Sequence, residues 1–246
     1  MNNSTIDGKK SNEMGLVKLS AVGFLVQLLT VFATILIVLL LGPPPADGKE
    51  ALLMMENPIV GLLRDDFPSI VMISLYLISF PGLVLVLRRH SSSLTILAAI
   101  LSFSGVILAL SSHSGLSLFH LSKEYHMTTD PAEKIQLLAA SSAVFSQNIW
   151  NGSAGYFGGF FLQIGGILIS LSMRSHICFS RLTVFFGISA NGLDLIQHVL
   201  HPFTPAISEV IMFVMGPLYV LWFICLIKNL LGFIKNQKGE NNGFHS

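Results

Sequence analysis

The sequence predicts an all-α polytopic membrane protein with six transmembrane helices, from its composition and from the length of its apolar segments. Of 246 residues, 52% are hydrophobic and only 11% are charged, about half the charged fraction of a soluble globular domain. Crossing a hydrocarbon core about 30 Å thick takes roughly 20 helical residues, and six segments meet that length. Lysine plus arginine number 14 and aspartate plus glutamate 13, so the extended basic surface that nucleic acid requires is absent and we exclude nucleic acid as a partner.

The six predicted spans are residues 19–42, 68–87, 93–113, 151–173, 182–201 and 206–234. The first follows three lysines, but its apolar run is longer than the roughly 7 to 15 residues of a signal-peptide core, so we predict an uncleaved span. These limits divide the chain into an N-terminal tail, a single six-span membrane domain and a C-terminal tail: 1–18, 19–234 and 235–246.

Basic residues in short connections predict the orientation, because lysine and arginine resist translocation. With six spans, both tails and two of the loops fall on the same side of the membrane. All four of these segments carry basic residues, and those in the two loops are Arg88, Arg89, Arg174 and Arg181. The two opposite loops mix acidic and basic residues. We therefore predict a multi-pass protein of the cell membrane with both termini cytoplasmic and the lipid bilayer as its partner.

The two long outer loops are predicted to contain short helices. Two N-cap patterns occur in the first loop, Asp47 followed by Glu50 and Asn57 followed by Pro58. The residues that follow them are too apolar for a solvated loop, which favours helices lying at the membrane interface. In the second loop, Asp130 and Pro131 predict a helix that runs to about residue 148.

Small and polar residues on the spans predict how the helices pack. Gly155 and Gly159 form a small-xxx-small pair that Gly166 continues on the fourth span, and such faces let helices approach closely in lipid. We expect this face to pack within the monomer, and a homo-oligomer through it is the alternative. On the first span, Ser20, Gln27, Thr30 and Thr34 form a polar stripe that should hold helices together. Gln163 is expected to face inward with them.

Four segments together are similar to a known family. They are "TTDPAEKIQLLAASSAV", "GGFFLQIGGILISLSMRS", "FFGISANGLDLI" and "VMGPLYVLWFICLIKNLL". Over roughly residues 15–234 the chain resembles an uncharacterised bacterial six-span membrane protein family, the domain of unknown function four-three-eight-six. The resemblance implies a compact six-helix membrane domain and no particular activity.

The fifth predicted span carries a polar stripe. Asn191, Asp194, His198 and His201 are spaced by three, four and three residues and so share one helix face. A charged aspartate near the bilayer centre costs roughly 2.5 to 3.5 kcal/mol on insertion scales. Asp194 lies about 18 Å along the helix from its cytoplasmic end, so it must face protein, water or a paired group, or be protonated.

The sequence leaves four roles open for this stripe. Asp194 and His198 can pair at i, i+4 and simply hold helices together. A ligand pocket would be lined by Asn191, Asp194, His198 and Gln163. A proton relay or acid/base site would use Asp194 with His198. A metal site would use Asp194, His198, His201 and Glu209, near the outer histidines His113, His120 and His126.

Two function classes follow. The first is a non-catalytic module that binds a lipid or apolar ligand or assembles with a membrane complex. The alternative is an intramembrane enzyme that acts on a lipid or isoprenoid substrate, with Asp194 and His198 as an acid/base pair or as metal ligands. No resident cofactor is predicted, and the two cysteines, Cys178 and Cys225, form no C-x-x-C motif.

Overall fold

The computed structural model describes residues 3–88 and 90–242, and the regular structure of these residues is helical throughout. In chain order the helices are α1 (Asn3–Leu41), α2 (Gly48–Met54), α3 (Pro58–Arg64), α4 (Phe67–Ser74), α5 (Tyr76–Leu87), α6 (Ser92–Ser111), α7 (Gly115–Met127), α8 (Pro131–Phe145), α9 (Ser153–Met173), α10 (Arg181–Leu200) and α11 (Pro205–Asn242).

Five segments within the described residues are long and apolar enough to cross a membrane: Asn12–Leu41, Phe67–Leu87, Ser92–Met127, Ser153–Met173 and Pro205–Gln237. They coincide with five of the six predicted spans. The other predicted span, 182–201, is helix α10, which is not among the five because its polar side chains lower its hydropathy. Both predicted tails are largely helical, since α1 begins at Asn3 and α11 ends at Asn242.

The chain divides into two compact units, and the predicted division into two tails and one membrane domain stays a prediction. Unit 1 comprises Met1–Leu28, Leu75–Ser104 and Phe160–Ser246, and unit 2 comprises Leu29–Ser74 and Gly105–Gly159. The polar stripe of α10 belongs to unit 1, and the two long loops of the sequence belong to unit 2.

In unit 1 a hydroxyl from α1 completes a proline-containing helix. Pro81 lies inside α5. Nearby, the Ser20 hydroxyl accepts a hydrogen bond from the Gly82 N–H at 2.9 Å and donates to the Ile78 carbonyl at 3.2 Å. In an uninterrupted helix these two backbone groups would pair with each other. The Ser79 hydroxyl adds a contact to Gln27 Oε1 at 3.0 Å. Ser20 and Gln27 thus join helices as predicted.

In unit 2 the short helices begin at the predicted capping residues. The Asp47 carboxylate accepts from the Glu50 N–H at 2.7 Å, and Asn57 accepts from the Val60 N–H at 3.3 Å with Pro58 in the first turn. Asp130 caps α8 in the same way. Whether these helices lie at a membrane interface stays a prediction.

Residues 115–127, treated as loop in the sequence, form helix α7 instead. The segment opens with a glycine and carries Lys123 and Glu124, and the side chain of the N-cap residue, Ser114, makes no capping hydrogen bond. Its helix is stabilised by tertiary packing: Leu118 is fully buried in a core with Ala51 of α2 and with Met55. Tertiary contacts therefore override a weak local signal.

Candidate functional site

The polar stripe of α10 is partly buried inside unit 1. Ser180 caps the helix by accepting from the Thr183 N–H. Asn191 and His198 are buried, with 3% and 4% of their surface exposed, while Asp194 and His201 are half-buried. The stripe therefore faces protein, as the cost of exposing it to lipid requires.

Three of the predicted residues meet at one hydroxyl group. The Tyr219 hydroxyl oxygen lies 2.8 Å from Gln163 Oε1, 2.8 Å from Asp194 Oδ2 and 3.2 Å from Asn191 Oδ1. These side chains come from α9, α10 and α11. We call Gln163, Asn191, Asp194 and Tyr219 the Tyr219 cluster. The cluster brings together three of the four residues of the predicted ligand pocket, Gln163, Asn191 and Asp194.

The amide of Asn191 is held in place from both sides. Its Nδ2 donates to the Gly187 carbonyl one turn earlier, at 2.8 Å, which orients Oδ1 toward Tyr219. On the α9 side, a Cβ atom added to Gly166 would lie 1.9 Å from Asn191 Oδ1. Only glycine leaves room for this amide, so Gly166 of the predicted small-residue face packs against α10 of the same chain.

Polar contacts also join α10 and α11 on either side of the cluster. Toward the start of α10, Asn229 Nδ2 donates to the Thr183 hydroxyl at 2.6 Å. At its end, Gln197 Nε2 donates to the Ser208 hydroxyl at 2.7 Å, and His201 Nδ1 lies 3.2 Å from the same hydroxyl. These contacts fix the register of the two helices and so position Tyr219 opposite Asp194.

The predicted pairing of Asp194 with His198 is replaced by a different partner. Among the side chains that the structure describes, Asp194 makes its hydrogen bond to Tyr219. His198 lies one turn further along α10. Tyr219 was not singled out from the sequence, although a lone phenol in the apolar run "GPLYVLWF" is a polar group that needs a partner.

The predicted metal residues do not form a ligand set in the described part of the chain, where no group of three or more His, Cys, Asp or Glu side chains is arranged to hold an ion. The side chain of Glu209 lies outside the described residues. Of the outer histidines, which belong to unit 2, His113 Nδ1 contacts the Ala109 carbonyl and His126 Nδ1 the Ser122 carbonyl, at 2.9 and 2.8 Å.

A second group of titratable side chains lies in the connection between α9 and α10. The His176 ring packs against His90 with centroids 4.3 Å apart, and His176 Nδ1 accepts from the Cys178 N–H at 3.2 Å. Burial, and then the charge of His90, lowers the pKa of His176. Burial also raises the pKa of the Cys178 thiol, which makes it a poor nucleophile and metal ligand.

Comparison of the chain with protein-family models, with curated proteins and with solved structures found no match. The resemblance to the uncharacterised six-span family therefore stays a prediction.

Proposed function

We propose that the chain is a non-catalytic module of the membrane that binds a lipid-like or otherwise apolar ligand, with the polar group of the ligand at the Tyr219 cluster. One observation carries the proposal: the polar atoms of Gln163, Asn191 and Asp194 converge on a single hydroxyl between three helices. Convergent polar groups in an apolar wall are typical of small-ligand sites.

The surroundings of the cluster support an apolar ligand. The ring of Tyr219 packs against Trp222 and Phe223, each at a centroid distance of 6.0 Å. Asp194 is half-buried rather than enclosed, so a ligand group can reach it. Large apolar side chains on α11 point away from the protein, with Phe213 81% exposed, as expected for a helix in contact with lipid.

The proposal includes α10 as a sixth span. Its polar face packs against α9 and α11 and makes hydrogen bonds to α11, so the helix need not be strongly apolar to cross a membrane among them. Six spans place both termini on the side that carries the basic loops, which is the cytoplasm under the positive-inside rule. The proposal also gives α2, α3 and α8 interfacial positions. It leaves out the homo-oligomer, because Gly155 and Gly166 pack against Ile149 and Asn191 of the same chain.

A second candidate function is an intramembrane enzyme acting on a lipid or isoprenoid substrate. It is favoured by the 2.8 Å contact between Tyr219 and Asp194, because a phenol and a carboxylate at that distance can exchange a proton. Tyr219 then takes the part that the sequence assigned to His198. This function would be supported if the native protein converts a membrane lipid and the Asp194→Asn variant does not.

Native mass spectrometry tests the binding function. The full chain, purified in mild detergent from the membrane in which it was made, should carry an adduct of lipid mass. Asp194→Asn should lose most of that adduct, because the amide removes the charge without changing the shape. Tyr219→Phe should weaken it as well, because it removes the shared hydroxyl.

Glu13→Gln is the matched control, since it makes the same carboxylate-to-amide change in the same unit but outside the cluster, where Glu13 pairs with Arg88 at 3.6 Å. Circular dichroism shows whether each variant is folded. An adduct of equal abundance in native protein and in both folded cluster variants contradicts the proposal.

Cysteine labelling tests the proposed orientation. In a background with both native cysteines changed to serine, Ile177→Cys and Met127→Cys each place one thiol at an exposed position, 96% and 73% exposed in the native chain. We expect a membrane-impermeant maleimide to label Met127→Cys in intact cells and Ile177→Cys only after permeabilisation. The reverse pattern would place the termini outside. Labelling of both thiols in intact cells would mean an even number of crossings between Met127 and Ile177, so that α9 does not cross the membrane or α8 crosses it as well.

A further inference from the structure

The Tyr219 cluster contains more hydrogen-bond acceptors than donors. The Tyr219 hydroxyl has one proton and faces three oxygens, so it can donate to one of them at a time. The nearest other donor, Asn191 Nδ2, is already bound to the Gly187 carbonyl. While Asp194 is ionised, at least one oxygen of the cluster therefore lacks a proton donor, even when the Gln163 amide is turned to donate to Tyr219.

In its ionised form, Asp194 adds a negative charge to this set. Among the side chains that the structure describes, its hydrogen bond to Tyr219 Oη is its only hydrogen bond or ion pair, and this bond uses Oδ2. The second carboxylate oxygen, Oδ1, has no partner there. A carboxylate in an apolar setting is stabilised by a cation, and this part of the chain supplies none.

Aromatic rings pack against Tyr219. Tyr76 lies within electrostatic range of Asp194 and of Tyr219. From Tyr76 a series of ring contacts with centroids 4.9 to 6.2 Å apart leads through unit 1 to Tyr219, by way of Phe80, Phe24 and Phe223. Aromatic faces attract cations within about 6 Å of the ring centre and are the usual walls of sites for organic ammonium groups.

From these observations we infer that the polar group bound at the Tyr219 cluster is a monovalent cation, and specifically the ammonium group of an amphiphilic primary amine. Its three N–H donors match the oxygens of Gln163, Asn191 and Asp194, and its alkyl chain suits the apolar surroundings. An anionic headgroup would face the Asp194 carboxylate and is excluded by repulsion. This inference rests on the proposed binding function and adds the charge of the ligand to it.

Trp222 provides a reporter beside the cluster. The chain has two tryptophans, so Trp150→Phe leaves Trp222, whose ring lies 6.0 Å from that of Tyr219, as the single source of tryptophan fluorescence. The full-length variant in a neutral detergent is titrated with dodecylamine, dodecanol and dodecanoic acid, with each concentration expressed as a mole fraction of the micelle. The three probes share a chain length and differ in headgroup charge.

Dodecylamine should change the fluorescence saturably and should bind about 10 to 100 times more tightly than dodecanol, as expected for hydrogen bonds to a charged group. Dodecanoic acid should bind least. Adding Asp194→Asn should remove the preference for the amine. Glu13→Gln, which removes a carboxylate that pairs with Arg88 at 3.6 Å in the same unit, should keep it.

The possible outcomes distinguish a failure of the cation inference from a failure of the binding function. If dodecanol binds as tightly as dodecylamine, the cation inference is wrong and the binding function stands. If no amphiphile gives a saturable signal, the binding function fails too. A saturable response to NaCl but not to choline chloride, lost in Asp194→Asn, would assign the site to a free metal cation and overturn the amine. The comparison of the three amphiphiles uses the native cluster. It therefore tests the cation inference even if Asp194→Asn does not fold.

Discussion

Gly166→Ala is expected to lower the melting temperature of the purified protein by several degrees. The added Cβ would lie 1.9 Å from Asn191 Oδ1 and 2.4 Å from its Cγ. Asn191 is 3% exposed and its amide is bound to the Gly187 carbonyl, so it can move away only by giving up hydrogen bonds. Overpacking of this kind costs about 1 to 3 kcal/mol, which corresponds to roughly 2 to 12 °C for a chain of this size.

Gly192→Ala is the matched control, because no atom lies within 4 Å of the Cβ added there. Both substitutions replace a helix-interior glycine and gain the same helix propensity, about 0.5 to 1 kcal/mol. Gly192→Ala should therefore leave the melting temperature unchanged or raise it. The cost of Gly166→Ala should also shrink in an Asn191→Ala background. Equal melting temperatures for the two alanine variants would show that Gly166 and Asn191 are not in contact.

Local chemistry made part of this structure predictable from the sequence. Asp47, Asn57 and Asp130 cap helices because a side-chain oxygen satisfies an unpaired N–H within the same few residues. The stripe on α10 follows from helical periodicity, which places Asn191 and Asp194 on one face whatever the rest of the chain does. Its inward orientation followed from the cost of polar groups in lipid.

The partners of that stripe depend on which helices pack together, which periodicity does not determine. Tyr219 is 25 residues from Asp194 in sequence, and their contact requires the register that Thr183 with Asn229 and Gln197 with Ser208 impose. Helical periodicity alone favours His198, at i, i+4, as the partner of Asp194. In the structure Asp194 forms its hydrogen bond with Tyr219. A sequence-based search that paired every lone polar residue of the apolar runs would have included Tyr219.

Asp65 combines three features that make it a source of pH-dependent stability. It follows α3 directly, outside the predicted spans, and its Oδ2 is buried without a hydrogen-bond partner among the described residues. The neighbouring Asp66 carboxylate accepts a hydrogen bond from the Gly115 N–H, and Arg64 is directed to the Pro43 carbonyl instead of Asp65. Burial, and then the charge of Asp66, raises the pKa of Asp65 to about 7.

This shift makes the folded protein less stable as the pH rises. Between the ordinary value of 3.8 and about 7, the folded chain holds a proton on Asp65 that the unfolded chain has released. The free energy of unfolding therefore falls with rising pH across this window, by at most about 1.4 kcal/mol per pH unit and up to about 4 kcal/mol in all, and becomes constant above it.

Asp65→Asn mimics the protonated side chain and should remove this dependence. We expect the variant to melt at a slightly higher temperature than the native protein at pH 5 and at a much higher temperature at pH 8, measured by thermal unfolding at one-unit intervals in the same detergent. Asp130→Asn is the control, since asparagine caps a helix as well as aspartate does and Asp130 is exposed at the start of α8. Parallel curves for native and Asp65→Asn from pH 5 to 8 would mean that Asp65 is ionised throughout, and that the burial of its carboxylate is balanced by a cation that approaches it in solution.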